Sequence, residues 1–405
     1  MRFVFVSAFP AVPANEGNRS RILQLTRAVR SLGNEVHFAY VNTPMATDFD
    51  LTAHEAEFGS GRVHFISRER GGFKLRLIRD FGLELGFTAF RTIRKLYRLI
   101  GHESGFYNYL DEFYYPEIGW QVRDIQRRLG VDAVIAEYAF HSRAFLGLPN
   151  SVLRILDTHD SFADRHKAFI KTANKYGYWF SVPPNVECKA FRRADVVVAI
   201  QEEEERVFRQ QLGKEPPVVA TVSHILDLDR RVEDFASSDF LFLGSGNDAN
   251  IISLKGFLKN VLPLIRANRP DIRLVLAGSI CDKIEDTEGV LKLGRVDNLK
   301  DAFTRAPLSI NPITLGTGIN IKLLDALAAG VPTISSQTGV RGMPEQYRSS
   351  VIVVEDGDHK AFAHAILRLT SSQHEREELG SRAFDDAIEW NRQQMTALKG
   401  ILNGK

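Results

Sequence analysis

Short β-branched runs alternate with helical segments along this chain, and the alternation occurs twice. In the first half the runs are Phe3–Ser7, Glu35–Val41, Val63–Ser67, Ala133–Tyr138, Arg154–Thr158 and Val196–Ile200. In the second half they are Phe240–Gly244, Arg273–Ala277, Val290–Leu293, Leu308–Ile313, Pro332–Ser335 and Val351–Val354. Most are continuously apolar, as parallel strands covered by helices on both faces must be. Two such sets predict an α/β protein with two Rossmann-like, doubly wound domains. The polar, weakly periodic stretch at residues 225–238 puts the boundary near residue 230, with domains at 1–230 and 231–380. Ligands of doubly wound sheets sit outside the carboxyl ends of the strands, so the loops after these runs are where chemistry is expected.

One of those loops lies in NPITLGTGINIKLLDALAAGVP, Asn311–Pro332. An apolar run leads into Gly316 and Gly318. A helix follows, with Asn320 at its N-cap, Leu323, Leu324 and Leu327 at helical spacing, and Gly330 and Pro332 at its end. Glycine lets the backbone approach a ligand closely, and first-turn N–H groups point at whatever lies there. Lys322 in that turn opposes the helix macrodipole unless an anion sits between them, and Asp325 shares its face. Positive charge for phosphate beside a carboxylate for hydroxyls suits a nucleotide-sugar. The same two residues also fit a solvated i,i+3 pair in an ordinary α/β connection.

The segment resembles the signature of the retaining GT-B glycosyltransferases, in particular glycosyltransferase family 4 (group 1). There a glycine-rich loop and helix read roughly E-G-F-G-L-x-x-L-E-A-M-A-x-G-x-P. Leu324–Pro332 matches the second half of that pattern, with Asp325 for the helix glutamate, whereas Thr317 stands where the leading glutamate belongs. A subgroup reading G-x-G-x-x-x-K-x-L-E accounts for Lys322. The resemblance implies two domains facing across a cleft, with the last helix, from about residue 381, returning to the first. It also implies sugar transfer from a nucleoside diphosphate donor to a glycan or lipid-linked acceptor, with retention, in bacterial polysaccharide or glycoconjugate synthesis. Neither metal nor cofactor is implied. Gly316, Gly318, Ile319, Asn320 and Lys322 would meet the donor diphosphate, Asp325 the ribose and Thr317 the sugar.

The resemblance adds residues elsewhere. Gly244 and Ser245, in LFLGSGNDA, would face the diphosphate, with Ser245 where most members have arginine and Lys255 loosely at the family lysine. Gly17, in the loop Pro13–Arg21, would contact donor or acceptor; an ordinary strand-to-helix connection is the other reading. His159, beside Asp160 just past a strand end, corresponds to a family histidine facing the anomeric carbon, as an acid–base or orienting group. A structural His159 with Asp160 capping the next helix is the alternative. Because Thr317 and Ser245 replace charged residues, a non-catalytic GT-B partner protein stays open, as does a sugar-nucleotide epimerase of the same fold.

Other signals bound the class. A net charge of +2 over 405 residues does not suit a nucleic-acid partner. Cys188 and Cys281 lie far apart and fit reduced thiols in a cytoplasmic protein. The opening MRFVFVSAFPAVPA has its apolar run broken by Pro10 and Pro13 and reads as a first strand rather than a signal peptide. No stretch approaches the roughly 18 apolar residues of a membrane span. A dinucleotide fingerprint at Leu241–Ala249 would need an acid closing the run Arg273–Ala277, but Gly278 and Ser279 follow it. The Asp-x-Asp triplets at Asp48–Asp50, Asp227–Asp229 and Asp356–Asp358 read as loop acids, and no metal site is expected. Glu202–Glu205 complements a helix dipole. Residues 68–100 carry nine basic against three acidic residues, a net of +6, interleaved with Phe73, Phe81, Phe87, Phe90, Leu96 and Tyr97. That composition suits an anionic membrane surface, or helices packed on the first domain with solvated arginines opposite.

Overall fold

The computed structural model describes residues 1–14, 16–43, 48–67, 89–170, 178–214, 217–231, 238–296, 299–316 and 319–403. Two wholly parallel sheets organise it. The first contains β1 (Arg2–Ser7), β2 (Glu35–Val41), β3 (Val63–Ile66), β4 (Ala133–Glu137), β5 (Leu153–Asp157), β6 (Val196–Ala199) and β7 (Val218–Thr221), in the order β3-β2-β1-β4-β5-β6-β7. The second contains β8 (Phe240–Leu243), β9 (Leu274–Ala277), β10 (Val290–Gly294), β11 (Leu308–Asn311), β12 (Thr333–Ser336) and β13 (Ile352–Val354), ordered β10-β9-β8-β11-β12-β13. The strand order reverses direction between β1 and β4 in one sheet and between β8 and β11 in the other. All twelve expected strands form within one or two residues of their expected ends. The thirteenth, β7, was not expected: it is a four-residue edge strand, VVAT, whose Val218 is 59% exposed.

The continuous hydrophobicity of the strands follows from burial on both faces. In β8, Phe240 and Phe242 pack with Leu254, Phe257 and Ile265, while Leu241 and Leu243 join Ala302, Phe303, Ala326 and Ala329 on the opposite face. In the first sheet, Val4, Val6, Val134 and Ala136 pack with Ile118, Val122 and Ile125 of helix Pro116–Leu129. Burying one such side chain contributes roughly 1.5–3 kcal/mol, which fixes the strand register against slippage.

Two compact units result: Met1–Val12 with Thr26–Thr221, and Pro13–Leu25 with Val222–Lys405. The division falls at Val222 rather than residue 230, and the loop Pro13–Leu25 is grouped with the second unit. The final helix, Gln373–Asn403, is also grouped there and not with the first domain. Its Ala383, Ala387 and Trp390 pack on Leu323, Leu324 and Leu327, and Trp390 Nε1 donates to the His224 carbonyl at 2.7 Å. Among the described residues no helix is long and apolar enough to cross a membrane.

Candidate functional site

In the second unit, the loops after β8 and β11 flank the point where the strand order reverses. Helix Asp248–Asn260 begins in the first of these loops, with Asn247 Oδ1 accepting from the Asn250 amide at 2.9 Å. Helix Ile321–Ala328 begins in the second. Lys322 joins them: its Nζ donates to Asn250 Oδ1 at 2.9 Å and lies 4.3 Å from the centroid of the Phe242 ring. Among the described residues no carboxylate pairs with this amine, and loss of solvent pushes its pKa from 10.5 down to about 7. The i,i+3 pair with Asp325 does not form. Asn250 in turn donates to the Ser245 carbonyl at 2.9 Å and to Ser245 Oγ at 3.3 Å. Lys255 is exposed on the same helix.

Asn320 occupies the N-cap position, but its side chain donates to Asn311 Oδ1 at 2.8 Å and makes no capping hydrogen bond. The first turn of helix Ile321–Ala328 therefore keeps its positive end open to a ligand. Ile319 packs partly on the cluster around Leu323 and Leu324. Gly316 has φ +131°, a conformation that side chains disfavour, and a methyl there would come within 3.5 Å of the Arg341 guanidinium. Gly244 and Gly278 approach so closely that a Cβ on Gly278 would fall 2.3 Å from the Gly244 carbonyl oxygen. Thr317 and Gly318 lie outside the described residues.

Gly17 also belongs to this unit. A Cβ there would stand 3.2 Å from Ile321 Cδ1, so the start of helix Gly17–Ser31 lies against the start of helix Ile321–Ala328. Behind it, fully buried His224 has Nε2 at 3.6 Å from Asp325 Oδ1 and 3.4 Å from Ser20 Oγ. Asp325 is thus held from the protein side, with its carboxylate still partly accessible.

In the first unit a second cluster stands at the ends of β4 and β5, where Glu137 pairs in register with Asp157. Two residues beyond β5, His159 Nε2 lies 2.6 Å from Glu137 Oε2 and 3.6 Å from Asp157 Oδ2, and both carboxylates are fully buried. His159 stacks on Tyr138 with ring centroids 4.0 Å apart. Both residues have positive φ, +59° and +68°, conformations that cost roughly 1–3 kcal/mol each and cluster at functional sites. Asp160 is engaged elsewhere, accepting from Arg165 Nη1 at 2.9 Å. The loop is clamped by Glu187, which accepts from the Phe162 amide at 2.5 Å and from Ser161 Oγ and the Ala163 amide at 3.2 Å. Burial pushes Glu187 up to about 7 and its neighbour Glu204 up to about 8. Glu137, Asp157 and His159 each offer a ligand atom within 4.8 Å of the others, the one such grouping among the described residues.

Comparison with known proteins gives the arrangement its class. Residues 237–372 match the family model for Glycosyl transferases group 1. TarM of S. aureus, in a structure with fondaparinux, α-GlcNAc-glycerol and UDP, superposes with a TM-score of 0.68 over 99% of each chain, at 11% identity. Sucrose-phosphate synthase from Thermosynechococcus elongatus gives 0.66 over 99% of this chain and 98% of its own, at 15% identity. The chain has the GT-B fold. The match to that family lies within its second unit. The phosphatidyl-myo-inositol mannosyltransferase of Propionibacterium freudenreichii subsp. shermanii is 31% identical over 153 residues, or 36% of this chain and 39% of that protein.

The sequence reading of this GT-B chain missed Asn250, Phe242, His224 and Arg341 around the second-unit site, and Glu137 beside His159. Asn250 and Phe242 meet Lys322 through tertiary folding, roughly seventy to eighty residues apart in sequence. Glu137 did leave a signal: it is a charged residue closing the otherwise apolar strand AVIAE.

Proposed function

We propose that the protein is a retaining glycosyltransferase moving a sugar from a nucleoside diphosphate donor to a glycan or lipid-linked acceptor, without a metal ion or cofactor. One observation carries the reading. The desolvated Lys322 amine, with an amide oxygen and a ring as neighbours and no carboxylate partner among the described residues, lacks a counter-ion at an open helix start. A diphosphate supplies it. As the sugar–phosphate bond breaks, charge grows on the leaving oxygen, and Lys322 with the first-turn amides stabilises that charge more than the ground state. Asp325 takes the ribose hydroxyls, and Gly17 and Gly316 admit the ligand to the backbone. His159 serves the sugar as an orienting or acid–base group. The departing phosphate takes the acceptor proton, so no protein nucleophile is required.

The UDP in the TarM structure supports a nucleotide donor, and the name of the mannosyltransferase relative supports a lipid-linked acceptor. The basic, aromatic segment 68–100 is described only from residue 89. There, helix 89–99 and the residue after it expose Ile93, Leu96, Leu99 and Ile100 beside Arg91 and Lys95. We propose that this face meets anionic lipid at the cytoplasmic side of a membrane. The test is a thermal-shift screen of UDP-, GDP-, dTDP- and ADP-sugars followed by product analysis. One nucleotide at about 100 times its dissociation constant is expected to add roughly 2.7 kcal/mol of stability, with transfer to an acceptor. Stabilisation without turnover would favour a non-catalytic partner protein, an isomerised donor would favour an epimerase, and no stabilisation would remove the donor-site reading.

A further inference from the structure

We infer that Glu137 is the positioning residue of His159: its contact with Nε2 fixes the imidazole ring in one orientation. The inference rests on the glycosyltransferase reading. Four constraints converge on this one ring. The 2.6 Å contact from Nε2 to Glu137 Oε2 has the length of a charge-assisted hydrogen bond. Tyr138 stacks on the ring at 4.0 Å, and its own amide donates to the Asp157 carbonyl at 2.8 Å. The positive φ of His159 leaves the backbone little freedom to follow a shifted ring. Glu187 holds residues 161–163 through Ser161 Oγ and the Phe162 and Ala163 amides. So much restraint on one side chain is what a group needs when its reacting partner must meet it in a single orientation.

The same three residues have the composition of a metal site, and geometry separates the readings. Nitrogen and oxygen ligands about 2.0–2.2 Å from one ion stand roughly 3 Å or more apart in tetrahedral or octahedral coordination. Nε2 and Oε2 are closer than that, and a shared proton accounts for the distance. A carboxylate fully buried beneath an imidazole is the arrangement that sets which ring nitrogen carries the proton, and loss of the carboxylate charge upsets that choice without emptying the space.

The full-length protein tests this through Glu137→Gln, His159→Ala and the double variant, with turnover of the nucleotide-sugar found in the screen. Glu137→Gln is expected to lower kcat at least about tenfold, with KM for the donor within about twofold of wild type. It is also expected to displace the limb of the kcat–pH profile that His159→Ala abolishes. The double variant should be no slower than His159→Ala alone, because on this inference Glu137 influences turnover through that ring. Wild-type kcat in Glu137→Gln, or losses that multiply in the double variant, would overturn the inference. So would zinc bound stoichiometrically to purified wild type and lost from Glu137→Gln. If Glu137→Gln does not fold, Glu137→Asp carries the same test, since a carboxylate one methylene shorter loosens the contact while keeping the charge. Wild-type turnover in His159→Ala would remove the inference yet leave the donor-site reading intact, whereas a wild-type protein that never turns over a nucleotide-sugar refutes that reading itself.

Discussion

Replacing Lys322 by methionine is expected to make the ligand-free protein more stable while weakening nucleotide binding. The amine titrates at its ordinary 10.5 in the unfolded chain and at about 7 in the folded one. Between those values the unfolded state holds the extra proton, so stability rises with pH through the window. Below pH 7 the full cost of charging a desolvated amine is present. That gap corresponds to a ceiling of about 5 kcal/mol. Against it stand the Asn250 hydrogen bond and the Phe242 ring contact, together worth roughly 1–3 kcal/mol, which methionine gives up. A net gain of about 1–3 kcal/mol is therefore expected for Lys322→Met at pH 6, vanishing or reversing near pH 10.

Ligand binding should show the same amine from the other side. At pH 8 the free amine is mostly uncharged, and a bound diphosphate recharges it, so binding should take up most of one proton. Calorimetry in two buffers of different ionisation enthalpy reads that uptake directly, and urea unfolding at pH 6 and pH 9.5 reads the stability. Affinity should fall up to about tenfold per pH unit above 7 until the bound amine itself titrates. A stability difference between wild type and variant that does not change with pH would refute the reasoning. Proton uptake that survives in Lys322→Met would do so equally.

The remaining expectations are narrower. Glu204 is buried with Oε2 unpartnered and titrates at about 8, so its stabilising proton is lost as pH rises through that value; Glu204→Gln should gain about 1–4 kcal/mol at pH 9 and almost nothing at pH 5 by urea unfolding. His141 is fully buried, donates Nδ1–H to the Glu137 carbonyl and is pushed down to about 4, so the protein should lose about 2 kcal/mol between pH 7 and pH 5, a loss that His141→Asn should abolish. Turnover is expected to survive excess EDTA; complete loss restored by Mg²⁺ or Mn²⁺ would defeat the metal-free reading. Co-sedimentation with anionic vesicles should exceed that with neutral ones at low salt and fall at high salt, and equal, negligible binding to both would favour a soluble acceptor.

Strands were legible in the sequence because burial on both faces leaves nothing to alternate. Runs such as Leu274–Ala277 had to be apolar throughout, and their glycine and serine successors marked where they stop. The edge strand Val218–Thr221 was missed although VVAT is β-branched, because a run that short, opening on Pro216 and Pro217, reads as readily as a connection. The glycine loop, Lys322 and Asp325 were visible as residue types out of place in a helix start. Their neighbours were not, because Asn250, Phe242 and His224 reach them through folding and carry no local pattern of their own. Asp160 beside His159 looked like a working pair, yet Arg165 takes its carboxylate, and the partner of His159 comes from the neighbouring strand instead. The last helix is amphipathic in sequence, but periodicity names a buried face without naming what buries it.

The grouping of Pro13–Leu25 with residues beyond 221 has a consequence for the order in which the chain can mature. These residues leave the ribosome early, and their partners, the Val222 carbonyl that accepts from Arg21, His224 beside Ser20 and Ile321 against Gly17, are synthesised some two to three hundred residues later. Until then these three contacts wait for their partners, although the first sheet already holds every one of its strands by Thr221. The first residues of helix Gly17–Ser31 count with one unit and its last with the other, so its amino-terminal turn gains its long-range contacts late in synthesis. A fragment ending at residue 221 would therefore leave Gly17, Ser20 and Arg21 without the partners that hold them in the whole chain.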